Sequence, residues 1–221
     1  MALSRLNYNS LNVTPTASKG IGFDSGADDI AATFSGGDMV FIKKLTSDGS
    51  DATLDFVDGT SDVVLDSTYK EYMFIFNNIH PETNGAQFSF QGNAAGGSGY
   101  NETITSATFR TYHNEGDTDT TIGYTTDGDQ ADGTAFQKFS EATTGSDNDQ
   151  CCAGYLRLFN PSSTTFVKHF IGIQQVYDPD DYSITGFFAG YFNTTSAIDE
   201  IQFKFSSGEI QAGTISLYGI N

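Results

Sequence analysis

Along most of this chain apolar and polar residues alternate with a period of two, and no segment sustains the 3.6-residue period of an amphipathic helix. The pattern is clearest over residues 155–173. A strand-like run at 155–159 is followed by Asn160-Pro161-Ser162-Ser163-Thr164 and a second run at 165–173. Pro161 fixes its own φ and pushes Asn160 toward an extended conformation, so the break between the runs has a mechanism. In the second run Val167, His169, Ile171 and Ile173 share one face, while Phe166, Lys168 and Phe170 share the other. Both faces carry bulk. That predicts a hairpin inside a packed structure, not at a free edge.

The same pattern predicts strands over 38–45, 53–57, 63–65, 69–79, 86–91, 103–112, 134–139, 182–192, 198–206 and 213–221. Turn clusters separate them, among them Ser47-Asp48-Gly49-Ser50, Asp58-Gly59 and Asp178-Pro179-Asp180-Asp181. Tyr72, Phe74 and Phe76 alternate with Met73 and Ile75, apolar on both faces. Phe88 and Phe90 alternate with Gln87, Ser89 and Gln91, which predicts a half-exposed strand. Ile184, Gly186, Phe188, Gly190 and Phe192 face one way, and Ile201, Phe203 and Phe205 alternate with Gln202 and Lys204. The expected fold is all-β: an antiparallel two-sheet β-sandwich, jelly-roll-like, over residues 36–221. A lone sandwich buries one face of each sheet, so strands apolar on both faces predict an additional layer, an arm or a neighbouring subunit over the other face; burial between identical subunits, a homo-oligomer, is the economical expectation.

Residues 1–35 read differently. Apolar positions are sparse and irregular there, and Gly20, Gly22 and Gly26 break any regular pattern. An irregular N-terminal arm is expected, with one short helix around residues 28–32. Such an arm is either loosely ordered or a docking segment that orders on a partner.

Charge narrows the partners. The 28 acidic residues against 10 Lys and Arg give a formal charge of −18. A surface this negative repels phosphate backbones and anionic lipid, so neither nucleic acid nor membrane is expected as a partner. The first residues lack the apolar core of a signal peptide, and no apolar run approaches membrane-spanning length, so synthesis in a cytoplasm is expected. Cys151 and Cys152 are adjacent and cannot staple distant segments. They form either a reduced, partly buried pair or a strained vicinal disulfide.

Candidate chemistry is thin. Asp127, Asp129 and Asp132, with Asp117 and Asp119 nearby, could offer oxygens to calcium, as could Asp178, Asp180 and Asp181. The spacing is not that of an EF-hand loop, and Asp and Gly are the commonest turn residues, so solvated loops without metal are expected. His80, His113 and His169 are far apart in sequence, and none sits in a catalytic motif; His169 reads as a core or interface histidine. Gly97-Ser98-Gly99 fails the spacing of a nucleophile elbow, and Gly20-x-Gly22 lacks the third glycine of a phosphate loop. Carboxylate pairs for glycoside hydrolysis leave no sequence mark. No catalytic residue, cofactor or metal ligand is assigned. Tyr100, Tyr112, Tyr124, Tyr177 and Tyr182 are candidates to stack on sugars, or else pack at sandwich rims and subunit interfaces; the absence of Trp weakens the sugar reading.

Several segments resemble structural proteins of marine tailed bacteriophages. They are Tyr72-Met73-Phe74-Ile75-Phe76-Asn77-Asn78-Ile79-His80-Pro81 with Phe88-Ser89-Phe90, and Leu158-Phe159-Asn160-Pro161-Ser162-Ser163. Asn193-Thr194-Thr195-Ser196-Ala197-Ile198 and the closing Gly213-Thr214-Ile215-Ser216-Leu217-Tyr218-Gly219-Ile220 share the likeness, as does the start Met1-Ala2-Leu3-Ser4-Arg5-Leu6-Asn7. The resemblance covers most of residues 69–221. It implies a non-enzymatic virion protein, either a capsid decoration or head fibre or a tail-fibre component. It also implies threefold self-association and an arm that binds other virion proteins. The alternative is a carbohydrate-binding adhesin module that recognises host surface glycans.

Overall fold

The structure, a computed structural model, describes residues 19–23, 30–35 and 38–221. The chain divides into two compact units, Met1–Val40 and Phe41–Asn221. In the first, β1 (Lys19–Phe23) and β2 (Ile30–Ser35) pair antiparallel, with Gly20 opposite Phe34 and Phe23 opposite Ile30. The helix expected around residues 28–32 is therefore not formed at Ile30, Ala31 and Ala32. Cross-strand pairing satisfies the backbone that a single helical turn would leave half unpaired. Residues 28 and 29, like most of the 1–35 arm, lie outside the described residues.

The remaining strands are β3 (Met39–Thr46), β4 (Leu54–Val57), β5 (Glu71–Pro81), β6 (Phe88–Ala94), β7 (Ile104–Asn114), β8 (Thr120–Tyr124), β9 (Gln130–Gly133), β10 (Gln137–Lys138), β11 (Cys152–Phe159), β12 (Lys168–Tyr177), β13 (Tyr182–Phe192), β14 (Ile198–Phe205) and β15 (Ile210–Ile220). They form two antiparallel sheets. The large sheet runs β3-β15-β5-β11-β12-β13-β7-β8, with β9 also paired to β7, and the small sheet runs β10-β6-β14-β4.

The pairings nest: β3 with β15, β4 with β14, β5 with β11, β6 with β10. First meets last and second meets second-to-last, as in one long hairpin wrapped across two sheets, which is the jelly-roll connection. The expected two-sheet sandwich is the observed one. Two insertions enlarge it. β7 to β9 enter between β6 and β10, β12 and β13 enter between β11 and β14, and both extend the large sheet.

Between the sheets lies an aromatic core. Tyr72, Phe74 and Phe76 of β5, Phe170 of β12, and Phe188 and Phe192 of β13 meet Phe56, Phe88, Phe90 and Phe203 from the small sheet. Phe139 joins them from beyond β10, stacked on Phe88 at 5.1 Å with rings 14° apart. The faces predicted for β13 and β14 are the buried ones: Ile184, Phe188 and Phe192, and Ile201, Phe203 and Phe205. The central hairpin forms as β11 and β12, flanked by β5 and β13, with Phe170 inward and Ile171 outward.

Five expectations need correction. Asn160 is not extended: its φ of 47° is left-handed, a conformation Asn tolerates, and its N–H donates to Lys70 C=O at 2.6 Å. Residues 63–65 are not a strand: Gly59 N–H donates to Val63 C=O and Leu65 N–H to Asp58 Oδ1, so the Asp58-Gly59 turn closes a loop that buries Val63 and Leu65. β4 pairs instead with β14. β6 is not half-exposed, because Ser89, Gln91 and Asn93 are buried as well; Gln91 Nε2 donates to the carbonyls of Glu102, Thr134 and Ala135, which cross over it. The acidic stretch 115–133 holds β8 and β9, and the strand expected over 134–139 shrinks to Gln137–Lys138. His169 is not a core histidine; it faces outward, edge-on to Tyr191 at 5.8 Å. Its neighbour Lys168 takes the inward place, and its ammonium donates to Phe166 C=O at 2.8 Å and Thr194 C=O at 3.1 Å.

Candidate functional site

Two surface features stand out: an apolar band on the outer face of the large sheet, and a tyrosine-rich acidic end. The band follows from register. Outward residues of six adjacent strands fall in one row: Ile75, Tyr155, Ile173, Phe187, Phe109 and Tyr124 are successive cross-strand partners. Phe109 and Phe187 stack at 4.7 Å with rings 7° apart. Ile171, Gly172, Ala107 and Ala189 border them, leaving an apolar groove of about 330 Å³. Ile171 is 47% exposed, Tyr124 59% and Ile122 72%. At the β15 side the edge-on pair of Phe41 and Tyr218, 5.6 Å apart, continues the band.

The acidic end gathers where β12 stops, β13 starts and β7 turns toward β8. Tyr112 and Tyr182 meet edge-on at 5.5 Å, and Arg110 lies 5.3 Å over the Tyr112 ring. With Asp119, Asp178 and Ile184 they line a hollow of about 240 Å³. Tyr182 also lines a second hollow, of about 320 Å³, with Tyr177, Glu115, Asp149, Cys151, Gln175 and Ser183. Tyr182 Oη donates to Asp119 Oδ2 at 3.1 Å and Tyr177 Oη to Asp181 Oδ1 at 3.1 Å. Each carboxylate accepts a hydrogen bond that only the neutral phenol can donate, and its charge opposes a phenolate, so both tyrosines are held neutral, Tyr177 up to about 12. Neutral rings fixed by local hydrogen bonds, beside free carboxylate oxygens, suit polyhydroxylated ligands: rings stack on C–H faces and carboxylates accept from hydroxyls.

Of the five tyrosines singled out in the sequence, Tyr112, Tyr177 and Tyr182 come together here. Tyr124 belongs to the apolar band, its hydroxyl donating to Asp129. Tyr100 stands apart beside the small sheet, where burial and a hydrogen bond to Glu200, with Asp55 and Asp199 nearby, push its phenol well above the usual range. Arg110, Asp149, Gln175 and Ser183 were not legible as site residues, since the end is assembled from strand termini distant in sequence.

The acidic turns are occupied by their own chain. Asp129 receives Tyr124, Asp132 receives Thr105 and Asn193, and Asp178 receives Thr143. Among the described residues no group of three or more His, Cys, Asp and Glu side chains is placed to hold a metal ion. His80 and Cys151 line one hollow of about 550 Å³, with His80 Nδ1 2.6 Å from Gln150 O. Both cysteines are free thiols. Burial, with Asp149 adding to it, raises the Cys151 thiol, and burial pushes Cys152 up to about 12. An activated nucleophile requires the reverse.

The tyrosine geometry makes a pH prediction. Tyr177 has a folded-state pKa above the ordinary value of about 10. Its contact with Asp181 therefore contributes stability that is full below pH ~10 and lost as pH rises toward 12. With ring-labelled tyrosine followed by NMR, Tyr177 is expected to titrate near the upper value, and D181N to bring it back toward ~10. A wild-type Tyr177 that titrates with the ordinary tyrosines would show that the bond is not kept in solution.

No family model matches the chain, and no match is found among curated proteins or solved structures.

Proposed function

We propose that this chain is a non-enzymatic structural component of a bacteriophage particle, a capsid decoration, head fibre or tail-fibre piece, that works by assembling with copies of itself and attaching to other surfaces. The observation that carries this reading is the apolar band across the outer face of the large sheet, since a protein of this charge exposes such a band to be covered. The resemblance of residues 69–221 to structural proteins of marine tailed phages supplies the particle. Host cytoplasm is the place of synthesis and the virion the destination. The expected test is composition: in gradient-purified, salt-washed particles, mass spectrometry finds the chain at a fixed ratio to the major capsid or tail protein. Loss of the chain on washing would contradict the reading.

Residues 1–35 are assigned the anchoring role toward other virion proteins. Removing them is expected to leave the body folded, because Phe41–Asn221 is a compact unit with its own aromatic core, and to abolish incorporation into particles. Normal incorporation of the trimmed protein would show that the anchor lies elsewhere.

The acidic end favours a second reading, a module that recognises host surface glycans through Tyr112, Tyr177 and Tyr182. Binding on a glycan array that is lost in Y177A, with the fold intact, would promote it over the first.

A further inference from the structure

We propose that the outer face of the large sheet is the surface on which copies of this chain associate with one another. The proposal deepens the structural reading above and rests on it for its biological setting; both start from the same apolar band, but self-association in solution and presence in particles are tested separately.

Charge identifies the occupant. Across the outward positions of β5, β11, β12, β13, β7, β8 and β15 the described residues carry one carboxylate, Glu71, and it is paired with Arg157. The chain as a whole carries −18. Among the described residues the other carboxylates lie on the strand ends, the connecting loops, the small sheet and the rim of this face, where Asp129 accepts from Tyr124 and Asp132 of β9 from Thr105, so the middle of the face lets two strongly negative bodies touch without opposing their charges. A basic partner would be drawn to the acidic ends instead. A glycan needs donors and acceptors, and the central row offers almost none, since Phe109, Phe187, Ile173 and Ile75 carry no polar atom in their side chains. A surface apolar in the middle, with its carboxylates confined to the rim, fits its own duplicate.

Size agrees. The row above the central one, Gln175-Thr185-Thr111-Ile122, is uncharged, and the row below it, Met73-Arg157-Ile171-Ala189, holds one cation already paired. Seven strands about 4.8 Å apart and three rows about 6.8 Å apart cover roughly 700 Å². A stable interface of standard size takes about 800 Å² from each partner.

The test uses the full chain and neighbouring positions on one strand. On β8, Ile122 opposes Thr111 on the outward face, whereas Thr121 opposes Tyr112 on the other. I122E on β8 and I171E in the groove each place a charge in the band at a side chain that is already exposed, so folding is preserved; T121E adds the same charge outside it. By sedimentation equilibrium the wild type is expected to weigh a multiple of 23.8 kDa, and to associate more tightly as salt screens its charge. I122E and I171E are expected to weaken association by about 100-fold or more, because a carboxylate would be buried unpaired. T121E is expected to keep the wild-type mass, and all three to keep the wild-type circular dichroism. A wild type of single-chain mass at tens of micromolar overturns the proposal; so do I122E and I171E retaining wild-type mass, or T121E dissociating as they do. If particles lack the chain while the band variants still dissociate, the virion reading fails and the interface stands.

Discussion

Replacing Phe90 by Ala is expected to destabilise the protein by about 3–5 kcal/mol, as large a loss as a single truncation in this core should cause. Phe90 is fully buried at the centre of β6. Its ring meets Phe139 at 5.1 Å, Phe170 at 5.2 Å, Phe188 at 5.9 Å, Phe192 at 6.3 Å and Phe203 at 6.4 Å. Those rings come from both sheets and from the segment after β10, so the void would open where three regions of the core meet. Large neighbours fixed on separate strands cannot collapse into it together, which places the cost at the upper end of the range. In a domain of this size the fall in thermal midpoint is roughly 6–20 °C by calorimetry. A loss under about 1 kcal/mol would mean that the sheets close over the gap, and the core would then be softer than its packing indicates.

The second large effect is expected at Gly172, where G172A should cost about 1–3 kcal/mol. Gly172 lies on the inward side of β12, opposite Phe188 on β13. A Cβ there would sit 2.1 Å from Phe188 Cζ and 2.6 Å from the Tyr155 carbonyl oxygen. The ring could swing aside only by disturbing Phe90 and Phe139, and the carbonyl belongs to a ladder that cannot move. Gly190 has the same role on the neighbouring strand, where an added Cβ would meet Thr105 O at 2.5 Å and Phe170 Cζ at 2.8 Å. These glycines make room for aromatic rings that would otherwise not fit between the inserted strands and the small sheet. Denaturant unfolding of G172A with an unchanged midpoint would contradict this account.

The alternation at Phe203, Phe205, Phe188 and Phe192 was enough to predict which faces are buried, because period two is a local property. Two-sided bulk at Tyr72–Phe76 and at Phe170–Ile173 likewise announced a second apolar surface. What the chain could not announce locally was strand order. Phe109, Phe187 and Tyr155 become neighbours only because two insertions join the same sheet, and nothing near them in sequence records that. Val63 and Leu65 misled for a related reason: buried β-branched and aliphatic residues after Asp58-Gly59 look like a returning strand, yet the partner of β4 is the distant β14. Ser89, Gln91 and Asn93 read as solvent-facing because their partners, the carbonyls of Glu102, Thr134 and Ala135 among them, lie on segments that cross over the strand. Three of the five tyrosines converge at one end, but the residues that complete that end come from turns separated by up to roughly seventy positions, beyond the reach of any periodic signal.

The proposal that this jelly roll is a building piece of a phage particle is tested most directly by immunoelectron microscopy of intact particles. An antibody raised against residues 41–221 is expected to label the outside of the particle at regular positions, with the label lost when residues 1–35 are removed. Unlabelled particles, intact and disrupted, alongside abundant chain in the soluble lysate, would contradict it.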